Sequence, residues 1–208
     1  MESTRNAFRT GLFVDGNNIF RADFPIDYRA LHDWVDRHRS LLRSTAYIVV
    51  DPENPEKSRP FVHFLMNTGF KVVQRPLVRT PDGQVRSNTS VALAVDMVLQ
   101  AENLDIAVLV SGDGNLVPAV EQLQRRGRRV ELIAFTDRLS KDLLDTVDSF
   151  LPLQRIDNIQ RDSSPRDDRG YYGGPDHDDD GSVKGENDGG DEENEGDGEG
   201  DDKSPEEL

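Results

Sequence analysis

The chain has no cysteine, which excludes a disulfide framework, zinc–thiolate centres and a cysteine nucleophile. It has no long apolar run either. The longest, such as Ala46–Val50 and Ile106–Val110, reach five residues, against the roughly 20 a helix needs to cross a bilayer. The opening Met1-Glu2-Ser3-Thr4-Arg5-Asn6 lacks the basic-then-apolar pattern of an export signal. A soluble, cytoplasmic chain with no membrane association is the expectation. His32, His38, His63 and His177 show no metal-ligand spacing. No glycine-rich phosphate loop occurs, because Gly112-Asp113-Gly114 is not followed by Lys and Ser or Thr. Asn17 stands where an acidic phosphatase would carry the second Asp of its D-x-D pair, and Ser111 has no His in the sequence placed to activate it.

Charge of one sign is also missing from most of the chain. Residues 1–156 hold 20 Lys+Arg and 20 Asp+Glu, so the whole net charge of −15 falls in residues 157–208. That last stretch is Gly, Asp, Glu, Asn and Ser with almost no aliphatic side chain. It cannot bury enough apolar surface to offset the entropy of ordering, so it is expected to be a disordered acidic tail. The remaining 156 residues suit one domain with a single core and leave no room for a second.

Within that domain, short apolar and β-branched runs alternate with helical patterns. The runs are Leu12–Val14, Ala46–Val50, Lys71–Val73, Ile106–Val110 and Val130–Ala134. They lack period-two alternation, as strands buried on both faces do. Helices are expected over 26–39, 59–67, 90–102, 116–126 and 140–150. In 90–102, Val91, Ala94, Val95, Val98 and Leu99 recur at helical spacing and predict the packing face. The alternation implies an α/β fold with a mostly parallel central sheet and helices on both faces.

In such sheets reactive groups gather beyond the carboxyl ends of the strands. That rule selects Asp15, directly after Leu12-Phe13-Val14, and Asp113, in Ser111-Gly112-Asp113-Gly114-Asn115 after Val108-Leu109-Val110. Two such ends side by side would form an acidic pocket suited to Mg²⁺, a hard cation with oxygen ligands. Each Asp could equally cap the helix that follows it. Asp96 lies at the edge of the predicted apolar stripe, where it can reach over the rim of a sheet.

These residues resemble a family. Phe13-Val14-Asp15-Gly16-Asn17-Asn18 is similar to the opening motif of NYN domains of the LabA-like group, F-V-D-G-x-N. The stretch from Val108 to Pro118 resembles their L-V-S-G-D-x-D-F-x-P, and Arg126-Gly127-Arg128-Arg129-Val130-Glu131 resembles R-G-K-x-V-E. The likeness covers residues 10–152 and none of the tail. It implies a PIN-like, Rossmannoid three-layer sandwich whose carboxylates bind Mg²⁺ or Mn²⁺ and cleave RNA. On it, Asp15, Asp96 and Asp113 are the expected metal ligands, with Asn17 and Asn115 orienting water or phosphate. Ser90 and Asn115 stand where the family carries Asp. Two divalent ions about 4 Å apart repel by roughly 17 kcal/mol at an effective dielectric of ~20. Three carboxylates therefore favour one metal over a fixed pair.

Arg125, Arg126, Arg128 and Arg129 bracket Gly127 at a helix end, and Arg86 lies near the Pro81-Asp82-Gly83 turn. A nuclease needs cations to follow a phosphate backbone, so these are the expected RNA contacts, although a helix C-terminus favours arginine by itself. The tail, with a reach of roughly 40 Å for 52 residues, would compete with RNA for this surface or engage a protein partner. The leading expectation is a metal-dependent ribonuclease. The alternative is a catalytically weakened module that binds RNA or protein and regulates gene expression. Nothing in the sequence sets an oligomeric state.

Overall fold

β1 (Arg9–Asp15) is the centre of the architecture. β2 (Ser40–Val50) and β3 (Phe70–Pro76) lie to one side of it; β6 (Ile106–Val110), β7 (Arg129–Ala134) and β8 (Ser149–Pro152) lie to the other. The order is β3-β2-β1-β6-β7-β8, and every neighbouring pair is parallel. These elements come from a computed structural model that describes residues 8–20, 23–79 and 85–160. The acidic segment from residue 161 on and Asp82 lie outside the described residues, as do the side chains of His38, Arg79 and Arg86.

Successive side chains of a strand point to opposite faces, and the sheet uses both. Leu12, Val14, Ala46, Ile48, Val108 and Val110 share a core with residues of α2 (Tyr28–His38) and α3 (Pro55–Asn67). Phe13, Tyr47, Ala107, Leu109 and Leu132 share the other with α4 (Thr89–Gln100), α5 (Val117–Arg125) and α6 (Lys141–Thr146). This is the three-layer α/β sandwich that the alternation implied. The chain builds outward from β1 through β2 to β3, then returns to place β6 beside β1. The helices change faces at that reversal, so the crevice between the ends of β1 and β6 is the switch point where such sheets bind ligands.

Several elements differ from the sequence reading. α3 starts earlier, at Pro55, which tolerates the first helical position because its missing N–H would have no partner there. The C-terminal helix stops at Thr146 and the chain joins the sheet as β8. Asp148 explains the change: its carboxylate accepts the Val130 N–H at 2.7 Å, and its own N–H donates to the Val130 carbonyl at 3.0 Å. A short ribbon of β4 (Val78–Arg79) and β5 (Val85–Arg86) precedes α4.

α4 turns its other side to the sheet. Leu93 and Met97 are fully buried, whereas Val91, Val95 and Leu99 of the predicted packing face are 64%, 51% and 68% exposed. Both sides of this helix are apolar, so periodicity alone could not choose between them. With Leu93 and Met97 inward, Asp96 faces the sheet rather than solvent.

Packing continues past residue 156. Ile156 and Ile159 are buried, the Asp27 N–H donates to the Ile159 carbonyl at 2.7 Å, and Ile26 bridges Gln160. A chain ending at Gln160 should therefore be more stable than one ending at Ile156 by about 1.5–3 kcal/mol, the value of one buried isoleucine. Equal denaturation midpoints for the two truncations would contradict this packing.

Candidate active site

The turn after β1, the one-turn helix α1 (Gly16–Ile19), and the turn after β6 are joined by a side chain. The Oδ1 of Asn18 accepts the Gly112 N–H at 2.6 Å. Neither turn tolerates bulk. A Cβ on Gly16 would stand 2.9 Å from the Tyr47 carbonyl oxygen, and one on Gly112 would stand 2.0 Å from that of Arg138. The glycines thus let each loop press against its neighbour, and the clasp brings Asp15 and Asp113 to one crevice.

Asp15 is 2% exposed. Its Oδ1 accepts the Asn18 N–H at 3.3 Å and its Oδ2 accepts the Ser111 hydroxyl at 3.1 Å. Burial raises its pKa to about 6, and the neighbouring charge of Asp113 adds to the rise against these hydrogen bonds. Asp113 accepts the Ser90 hydroxyl at 2.7 Å and the Asn115 N–H at 2.9 Å. Both aspartates therefore cap the turns that follow them. Capping leaves much of their charge unanswered. Among the described residues neither forms an ion pair.

Asp96 reaches the crevice through Tyr47. The register sets Tyr47 of β2 beside Asp15 of β1, with both side chains on the α4 face. The Tyr47 hydroxyl donates to Asp96 Oδ2 at 2.8 Å. Burial and the Asp96 carboxylate push the phenol far above its ordinary range, so it remains a donor at any working pH. Each of the three aspartates thus accepts a hydroxyl, from Ser111, Tyr47 or Ser90. Among the described residues, however, no three His, Asp or Glu side chains converge as a metal cage. Asp15 and Asp113 are near neighbours, and Asp96 stands behind Tyr47.

Asn17 is exposed at the rim. Its Oδ1 accepts the Val49 N–H at 3.1 Å, which leaves its amide N–H groups available as donors. Asn115 is exposed too. Tyr47 carried no signal in the sequence; only strand register places it there. Two buried or half-buried carboxylates that form no ion pair among the described residues, flanked by hydroxyl and amide oxygens, form a donor set that fits one hard divalent ion.

The four arginines that flank Gly127 stand elsewhere. Arg128 lies 3.8 Å from Asp105, which just precedes β6, whereas Asp113 follows the end of that strand. Five residues of strand place these ends roughly 17 Å apart. Arg125 pairs with Glu121, Arg126 donates to the Val98 carbonyl at 2.8 Å, and Arg129 bonds Glu131. Closer to the crevice are Arg75, whose charge reaches Tyr47, and Arg138, which donates to the Phe20 carbonyl at 3.3 Å.

The NYN domain model matches residues 9–154. The chain belongs to the NYN domain family. It is 25% identical over 158 residues to the low amplitude and bright protein LabA of Synechococcus elongatus, covering 71% of this chain and 85% of that one. An uncharacterised protein of Methanocaldococcus jannaschii is 24% identical over 140 residues, covering 67% of this chain and 53% of the other. A crystal structure of a protein of unknown function from Vibrio parahaemolyticus matches with a TM-score of 0.65 and 25% identity, over 77% of this chain and all of that one. NYN domains fall in the PIN-like nuclease superfamily, whose members generally use divalent metals and commonly bind RNA.

The raised pKa of Asp15 makes a stability prediction. Its carboxyl binds a proton more tightly in the folded chain than in the unfolded one, so it contributes stability that is fully present below its ordinary pKa of 3.8 and lost as pH rises through about 6. The loss is on the order of 3 kcal/mol. Asp15→Asn should therefore stabilise the metal-free domain at pH 7.5 by about 1–2 kcal/mol, after allowing for poorer hydrogen bonding, and give no gain at pH 4. Denaturant melts in chelator check this; a variant no more stable than the parent at pH 7.5 contradicts it.

Proposed function

We propose that this NYN domain is a ribonuclease that hydrolyses RNA phosphodiester bonds with one Mg²⁺ or Mn²⁺ held between Asp15 and Asp113. The observation that carries the reading is the pairing of two uncompensated carboxylates at the switch point, fixed there by the Asn18–Gly112 clasp. A cation bound there would polarise the scissile phosphate and lower the pKa of an attacking water.

The chain's own residues have distinct parts. Ser111 and the Asn18 N–H hold the Asp15 carboxylate in one orientation, and Ser90 and the Asn115 N–H do the same for Asp113. Asn17 presents amide donors at the rim, where a phosphate oxygen can accept them. Asp96, held by the Tyr47 hydroxyl, adds negative charge that favours the cation without joining Asp15 and Asp113 directly. Arg75 and Arg138 supply positive charge on the two sides of the crevice. The four arginines around Gly127 would serve a more distant part of a long RNA.

A second reading keeps the fold and drops catalysis: a module that binds RNA or protein and regulates gene expression. Ser90 favours it. A hydroxyl donor 2.7 Å from Asp113 occupies the place where similar NYN domains carry an acid, and one potential ligand is lost.

Titration of Mg²⁺ and Mn²⁺ against labelled mixed RNA distinguishes the two. The ribonuclease reading expects metal-dependent cleavage that falls at least 100-fold in Asp15→Asn and in Asp113→Asn, and far less in Arg125→Ala. RNA retention without cleavage at micromolar protein supports the binding module instead. Ser90→Asp should tighten Mn²⁺ binding several-fold and lower stability in chelator, because it sets a second carboxylate against Asp113. Unchanged Mn²⁺ affinity in that variant would remove Ser90 from the site.

A further inference from the structure

α4 is built the wrong way round for a surface helix. Its sole charged residue, Asp96, faces inward to Tyr47, while Val91, Val95 and Leu99 point outward and are more than half exposed. Taking 100° per residue, this stripe lies opposite the Leu93–Met97 face, and Ala92, Ala94 and Val98 fill most of the space between. A helix apolar on nearly all sides is normally covered on all sides. Val78, in the ribbon that precedes α4, is also 52% exposed.

We propose that this face is the centre of a two-fold homodimer, in which α4 packs antiparallel against α4 of a second copy about Val95. The stripe is symmetric around that residue. Four positions before it is Val91 and four after it is Leu99, so an antiparallel pair sets Val95 on Val95 and Val91 on Leu99 of the other copy, which is the isologous contact a two-fold axis requires. The same symmetry extends to the ends. Asn88 and Glu102 both lie seven positions from Val95, about 10 Å along the axis. Asn88 forms no side-chain cap for α4, and Glu102 is exposed. The carboxylate of one copy therefore meets the uncapped, positively polarised start of the other helix.

The chemistry of the face disfavours other occupants. α4 carries no Lys or Arg, so it offers nothing to a phosphate backbone or to anionic lipid headgroups. Three half-exposed side chains make a patch of a few hundred Å², less than the roughly 800 Å² per partner that a stable dimer buries. The contact must therefore extend beyond the stripe onto the neighbouring α5, where Pro118 and Arg125 are exposed. α4 also carries Ser90 and Asp96 to the crevice, so the dimer would brace the helix that holds the site's hydroxyl partner and its third acid.

The absence of cysteine makes the test clean. In the full chain, Val95→Cys should form a disulfide-linked dimer under mild oxidation. Val91→Cys and Leu99→Cys should fail to cross-link singly and succeed when mixed. Sedimentation velocity from 1 to 100 µM should show a dimer for the parent chain and at least a tenfold weaker one for Val95→Lys, with unchanged far-ultraviolet circular dichroism. A parent chain that stays monomeric at 100 µM overturns the proposal. So does a dimer in which Val95→Cys fails to cross-link or Val91→Cys cross-links with itself.

Discussion

The structure turns on a buried carboxylate that, among the described residues, has no counter-charge. Asp15 ends the central strand, is almost wholly enclosed, and has another carboxylate, Asp113, as its charged neighbour. Folding keeps it there only because both flanking turns are shaped to meet: Gly16 and Gly112 allow backbone contact, and Asn18 ties one loop to the other. Hydrogen bonds from Ser111 and the Asn18 N–H offset part of the desolvation cost, but the pKa remains raised, so the balance is unfavourable. A fold that holds such a group at its switch point stores free energy that a bound cation can release.

The helical layer connects this crevice to the outside. α4 brings Ser90 to Asp113 at its start and Asp96 to Tyr47 further along, and it packs through Leu93 and Met97. Its polar side serves the site, which leaves only apolar residues for its outer side. The exposed stripe is thus the counterpart of the site's demand for polar groups on one helix face. The arginines at the far end of α5 are tied into local pairs and hydrogen bonds, at the opposite end of β6 from the crevice.

Much of this was legible in the sequence. Doubly buried parallel strands announce themselves as β-branched runs, and strand-end aspartates in Gly/Asn-rich turns point to the crevice. The motifs from Phe13 and from Val108 led to the family to which the chain belongs. What stayed hidden depended on three-dimensional register. Tyr47 could not be linked to Asp96 until β2 was aligned on β1. The orientation of α4 could not be chosen because both its sides are apolar, and the stripe predicted to be buried is the exposed one. The arginine cluster looked like one patch in the sequence, but the five residues of β6 separate it from the carboxylates.

The central claim is that Asp15 and Asp113 together hold a divalent cation. Isothermal titration of Mn²⁺ into the full chain, with Asp15→Asn and Asp113→Asn alongside, tests it most directly, since any weak sites on the acidic tail are common to all three. One site per chain, distinctly tighter than the rest and lost in both variants, is the expected result. Retention of that site in either variant, or its absence from the parent chain, would contradict it.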